Sequence, residues 1–237
     1  MSTSTLRHAT AQLADVRLHY VTSGFSDQTT QAVMLLHGWP QSWYEWRHLI
    51  PELARDQAVI AVDLRGLGDS GKPAGGYDKM TIAADLAALA DQLGLTRVSL
   101  VGHDWGGAVA AAFAMQQRQL VTHLAILDIV LPGIPLPGVG DALGAYWHMQ
   151  FHQVMDLPEA LIGGKEETYI RWFFNNFAYN PAAITPDDVA EYLRCLQQPG
   201  ALRSGFGYYR AMPEDALAFA EAAKVPLTCP VLALGGA

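Results

Sequence analysis

Residues 97–107, R-V-S-L-V-G-H-D-W-G-G, constrain the fold more than any other stretch of this chain. A β-rich apolar run leads to an aspartate flanked by glycines, and the small-residue run G-G-A-V-A-A-A-F-A-M follows, suited to a helix packed closely on a sheet. A sharp strand-to-helix turn leaves no room for side chains on either side of its central residue, and the spacing Gly102, Asp104, Gly106 matches the pattern that presents a nucleophile there. Asp104 is therefore the candidate nucleophile. Asp is also a favoured helix N-cap, a plainer role that would account for Asp104 taken alone. Further features of the same fold, in the right order, weigh against it.

Those features begin at the N-terminus. Weak alternation over residues 8–23 (Leu13, Val16, Leu18, Tyr20) predicts an antiparallel hairpin at a sheet edge, and A-V-M-L-L-H-G (32–38) and A-V-I-A-V-D (58–63) read as buried strands. Ile82, Leu86, Leu89 and Leu93 recur at helical spacing, with Gly94 where a C-terminal stop belongs. Residues 97–101 and 124–129 supply two more strands, so strands and helices alternate as in a parallel sheet covered by helices. L-P-G-I-P-L-P-G-V-G (131–140) then breaks the pattern. Residues 140–222 are helical and rich in aromatics, and P-V-L-A-L-G-G-A at the end reads as one more buried strand. The expected fold is α/β, a mostly parallel sheet with helices on both faces and an inserted helical cap. Its expected parts are a core over 1–131, a cap over 132–222 and a return to the core over 223–237.

With a net charge of −8 and scattered Lys and Arg, the chain offers no basic stripe for nucleic acid. No apolar run approaches the ~20 residues of a membrane span, and the first residues lack the basic-then-apolar pattern of a signal peptide, so the expected location is cytoplasmic. Cys195 and Cys229 show no metal-ligand spacing and read as buried structural thiols. No cofactor and no metal are expected.

A carboxylate nucleophile suits displacement at an sp³ carbon, giving an ester that water must then cleave. Such a substrate carries an epoxide or a carbon-halogen bond. Ester cleavage passes through an oxyanion that needs preorganised donors. The backbone N–H groups of Trp39, in H-G-W-P, and of Trp105 are the candidates; His37 and Pro40 read as turn structure. Asp128, closing the strand over 124–129, is the candidate acid partner of a general base, with an ordinary strand-end Asp as the plainer reading. No histidine follows His152, so the expected base is missing.

H-G-W-P-Q-S-W-Y-E-W-R (37–47), D-L-R-G-L-G-D-S (63–70) and G-H-D-W-G-G (102–107) resemble the epoxide hydrolase and haloalkane dehalogenase branch of the α/β-hydrolases. A-Y-W-H-M-Q-F-H-Q (145–153), L-I-G-G-K-E (161–166) and G-F-G-Y-Y-R-A-M (205–212) are similar to epoxide hydrolases of the cystic-fibrosis inhibitory-factor type. That resemblance implies hydrolysis of an epoxide to a vicinal diol through an aspartyl ester. It gives the grip on the epoxide oxygen to His148 and Tyr209, with Tyr208 the fallback if the register is off by one, and gives the acid to Asp128, where that group carries a glutamate. Taken singly, His148 also reads as a satisfied helix histidine and Tyr209 as an aromatic of the cap core. Many other epoxide hydrolases use two tyrosines; here Trp147 and His148 fall where the first would be.

The alternative is a haloalkane or haloacid dehalogenase with the same nucleophile and with Trp105 and His148 holding the halide. Trp105 and Ala108 stand where the similar fluoroacetate dehalogenases place carboxylate-binding arginines. A third reading is a catalytically incomplete fragment or a binding protein on this scaffold. The expected partner is a small apolar epoxide or halide; a homodimer and a separate C-terminal segment stay open.

Overall fold

The structure, a computed structural model, describes residues 5–135 and 146–236. Strands β1 (Arg7–Gln12), β2 (Arg17–Ser23), β3 (Gln31–Leu36), β4 (Val59–Val62), β5 (Arg97–His103), β6 (Val121–Leu127) and β7 (Val231–Leu234) form one sheet in the order β1-β2-β4-β3-β5-β6-β7. β1 and β2 make the antiparallel edge hairpin, and β4, β3, β5, β6 and β7 run parallel. Helices α1 (Leu49–Leu53), α2 (Lys79–Gln92) and α3 (Trp105–Gln116) connect them. Between β6 and β7 the described residues carry only helices: α4 (Trp147–Phe151), α5 (Leu157–Ile162), α6 (Glu166–Phe177), α7 (Pro186–Leu196), α8 (Ala201–Arg210), α9 (Met212–Ala222) and a 3-10 turn. Of the Gly/Pro break expected at 131–140, residues 136–140 lie outside the described residues.

Local chemistry explains the elements that carry the site. β3 and β4 are buried on both faces, hence their unbroken apolar runs. The Asp78 side chain caps α2 by accepting from Thr81 N–H, and Gly94 (φ 67°) takes the left-handed conformation just past its end. α3 is buried on every side from Trp105 to Ala114, which its small residues permit. Its approach to the sheet depends on Gly106, where a Cβ would lie 2.2 Å from the Leu36 carbonyl oxygen. Backbone cannot swing aside, so Gly106→Ala is expected to destabilise the fold by about 1–3 kcal/mol or more, read as a drop of several degrees in Tm.

Two expectations need correction. β7 exists but is not buried: Val231, Leu232 and Leu234 are 50–55% exposed, because β6 is its sole strand neighbour and no described helix covers its faces. Cys195 is buried, as expected, whereas Cys229 is half-buried.

The late helices are fastened to the sheet side by polar links. Arg47 pairs with Asp188 at 2.7 Å, Arg194 grips Asp69 through two bonds of 2.8 and 2.7 Å, and Lys72 donates to Gln198 at 2.8 Å. Tyr208 donates its O–H to the Arg65 carbonyl at 2.7 Å. Lys79 and Asp215, both fully buried, pair at 2.7 Å, and Asp215 also accepts from the Lys79 backbone N–H. The Lys79 ammonium lies 4.1 Å from the Trp105 ring centroid, a cation-π contact directly beneath the elbow. Among the described residues, no helix is long and apolar enough to cross a membrane.

Candidate active site

Asp104, Trp39 and Asp128 follow the carboxyl ends of β5, β3 and β6, the end at which open α/β sheets bind ligands. Asp104 has φ 50° and ψ −130°, a conformation an L-residue holds only when its surroundings fix it. The glycines around it are what allow this. A Cβ on Gly38 would sit 2.4 Å from Asp104 Cβ, and one on Gly102 would sit 2.3 Å from the Gly106 carbonyl oxygen. Asp104 accepts the Trp39 backbone N–H at Oδ1, 2.9 Å away, and the Trp105 backbone N–H lies close enough to lower the carboxylate's pKa. Of the two expected donors, Trp39 is hydrogen bonded to the carboxylate and Trp105 lies beside it. Burial raises the Asp104 pKa above its ordinary value, against the lowering effects of His103 and the two N–H groups.

Across from this carboxylate stands an aromatic wall. Tyr209, buried, lies edge-on to Trp105 with ring centroids 5.1 Å apart. Burial, with Asp104 nearby, pushes its phenol pKa far up, so it stays a neutral O–H. His148 lies 6.1 Å from Tyr209 between centroids. His152, to which no sequence motif assigns a role, lies closer, at 4.4 Å, and stacks on Phe206 at 4.4 Å. Its Nε2 is 2.6 Å from Tyr169 Oη, and its buried Nδ1 has no partner. Burial lowers the pKa to about 4 for His148 and about 2 for His152, leaving both neutral at pH 7. Tyr208 turns away to Arg65, so Tyr209 is the tyrosine of this pair beside Trp105. Tyr169 also lines an apolar pocket of about 330 Å³ with Trp147, Ile162 and Trp172. A second pocket, at Gln31 and Arg97, is at the amino ends of β3 and β5, far from the elbow.

Asp128 is exposed, also at positive φ (49°), and accepts the Gly236 N–H at 2.5 Å. Among the described residues no imidazole is hydrogen bonded to it. His37 is structural, accepting Leu64 N–H at Nε2, as its reading as turn structure anticipated. His19, Asp63 and Asp69 cluster within reach of a cation. Protein groups already engage all three: Trp43 N–H and Asp69 N–H on Asp63, Arg194 and Gln198 on Asp69, and His8 and Asp63 against the two ring nitrogens of His19. That donor set fits a brace better than a metal cage.

A sequence profile of the alpha/beta hydrolase fold family matches residues 31–202. The chain is 44% identical to the soluble epoxide hydrolase of Corynebacterium sp. (strain C12), over all of this chain and 82% of that protein. It is 33% identical to the fluoroacetate dehalogenase of Burkholderia sp., over 84% of this chain and 67% of that protein. The solved structure of the epoxide hydrolase CorEH without ligand superposes with a TM-score of 0.89 at 42% identity, covering 98% of this chain and 83% of that one. Elbow geometry, sheet order and these likenesses agree: the chain belongs to the alpha/beta hydrolase fold family, in the branch that includes epoxide hydrolases.

Proposed function

We propose that this protein is an epoxide hydrolase that opens a small apolar epoxide to a vicinal diol through an ester on Asp104. The observation that carries the reading is a half-buried carboxylate on a strained turn, held by the Trp39 backbone N–H and close to the buried, neutral Tyr209 phenol. A carboxylate oxygen attacks an epoxide carbon, the carbon–oxygen bond breaks, and its electron pair goes to the oxygen. Tyr209 O–H and an imidazole N–H stabilise and protonate that alkoxide. His152 suits the second donor better than His148 by its distance to Tyr209, since the Nδ1 of each is buried and unpartnered; in the tautomer in which Nε2 accepts from Tyr169, His152 carries its proton on Nδ1. Water, losing a proton to a general base, then attacks the ester carbonyl, the developing oxyanion gathers the Trp39 and Trp105 N–H groups, and the acyl–oxygen bond breaks as the base returns that proton to the leaving oxygen and releases the diol. Asp128 is proposed to orient the base for this step. Residues 132–222 are proposed as the cap over a core of 1–131 and 223–237, and the aromatic side chains around Tyr209 (Trp39, Trp105, Phe206) favour an apolar substrate.

The test is mass spectrometry of the purified chain after exposure to styrene oxide and aliphatic epoxides. A gain of the epoxide's mass on the Asp104 peptide is expected; an intact, unmodified Asp104 across the panel would sink the reading. The second reading, halide displacement, is favoured by the buried Trp105 indole N–H, which has no partner and could receive a halide. Tyr209→Phe separates the two. It should slow ester formation from epoxides by about 10²-fold or more, the scale of a lost general acid, and spare chloro- and bromoalkanes, whose leaving group needs no proton.

A further inference from the structure

Glu45 stands on the 3-10 turn Trp43–Trp46, and its two carboxylate oxygens reach two different arms of the site. Oε2 accepts the Gly38 backbone N–H at 3.3 Å. Oε1 lies 2.8 Å from His103 Nδ1, an ion-pair contact rather than a well-aligned hydrogen bond. Gly38 immediately precedes Trp39, and His103 immediately precedes Asp104. One side chain therefore spans the turns that carry the Trp39 donor and the nucleophile.

Building on the reading of Asp104 as nucleophile, we propose that Glu45 and His103 form a charged clamp that sets the two turns in register and keeps a cation beside the Asp104 carboxylate. Both are positioning residues, since neither would touch the substrate. The register matters because donors and nucleophile come from segments distant in sequence and must be held to a fraction of an ångström. The charge matters because burial favours the neutral, unreactive acid at Asp104. Burial would also strip the proton from His103, but Glu45, then Asp104 and Asp128, outweigh it and raise its pKa to about 9. These three carboxylates face the imidazole, while His103, Asp104 and the Tyr192 phenol face Glu45. His103 is thus an imidazolium at neutral pH and opposes the burial of Asp104. The stability this pair contributes is present below about pH 6.5 and lost as pH rises through about 9.

The test has two arms on the full 237-residue chain. NMR titration of the His103 Cε1 proton should give a midpoint near 9 that falls by about two units or more in Glu45→Gln. The rate of ester formation against pH should show its acid limb moved up by about one unit in His103→Gln, because Asp104 loses its cation. A merely structural role would slow the reaction equally at every pH. A wild-type midpoint at or below the ordinary imidazole value, or an unmoved acid limb, overturns the clamp. If wild-type protein forms no ester from any epoxide, the nucleophile reading fails, and the NMR arm still decides the clamp.

Discussion

Asp104→Asn is expected to lower ester formation by about 10⁴-fold or more, the scale on which loss of a nucleophile acts, while raising thermal stability at pH 7. The first effect follows because an amide cannot displace at carbon. The second follows from sign. Burial raises the Asp104 pKa in the folded state, so ionising it is harder there than in the unfolded chain. The wild-type protein therefore loses stability as pH rises from the unfolded carboxylate pKa, near 4, through the higher folded value, and it stays destabilised above it. Asn carries no charge and removes this penalty, and the positive φ suits Asn about as well as Asp. Scanning calorimetry should show the variant melting above wild type at pH 7, with the gap closing near pH 4. A variant no more stable at pH 7 would mean that the carboxylate is better solvated than its position implies.

Lys79→Met should have the largest effect on stability, a loss of about 3–5 kcal/mol, because it leaves Asp215 buried, charged and without its counterion. Both side chains are wholly inaccessible to solvent, and the carboxylate has the Lys79 ammonium and backbone N–H as its partners. Burial pushes the two pKa values toward neutrality, Lys79 down and Asp215 up, and the partner's charge opposes it in each case. Replacing both, as Lys79→Met with Asp215→Leu, should recover most of the loss, since apolar groups of similar volume often substitute for a buried pair without penalty. Urea midpoints with an unchanged m-value measure this. If the double variant is as unstable as the single, the pair's worth lies in the cation over Trp105 and not in charge neutralisation.

The core was legible because unbroken apolar runs and the glycine-spaced elbow each have one economical structural solution. β6 begins at Val121, earlier than the apolar run suggested, since Thr122 and His123 are polar positions that strand pairing overrides. His148 and His152 sit four residues apart on one helical face, so spacing could not tell which reaches Tyr209; the packing of Phe206 against His152 does. Exposure of β7 was invisible because a strand's sequence reports its preference and not what lies over it. Glu45 escaped notice because its partners, Gly38 and His103, meet it through the fold and share no local motif.

The polar links that fasten α7, α8 and α9 to the sheet side bear on how fast a ligand arrives. Helices pinned at Asp69, Arg65 and Lys79 cannot rock as a rigid body without breaking two ion pairs and the Tyr208–Arg65 carbonyl hydrogen bond together. Traffic beneath these helices should therefore follow rotamer hops of exposed aromatics such as Trp147 and Trp172, on the ps–ns scale, rather than the slower hinge motions of a closing domain. Substrate shape, and not a gating equilibrium, would then govern admission.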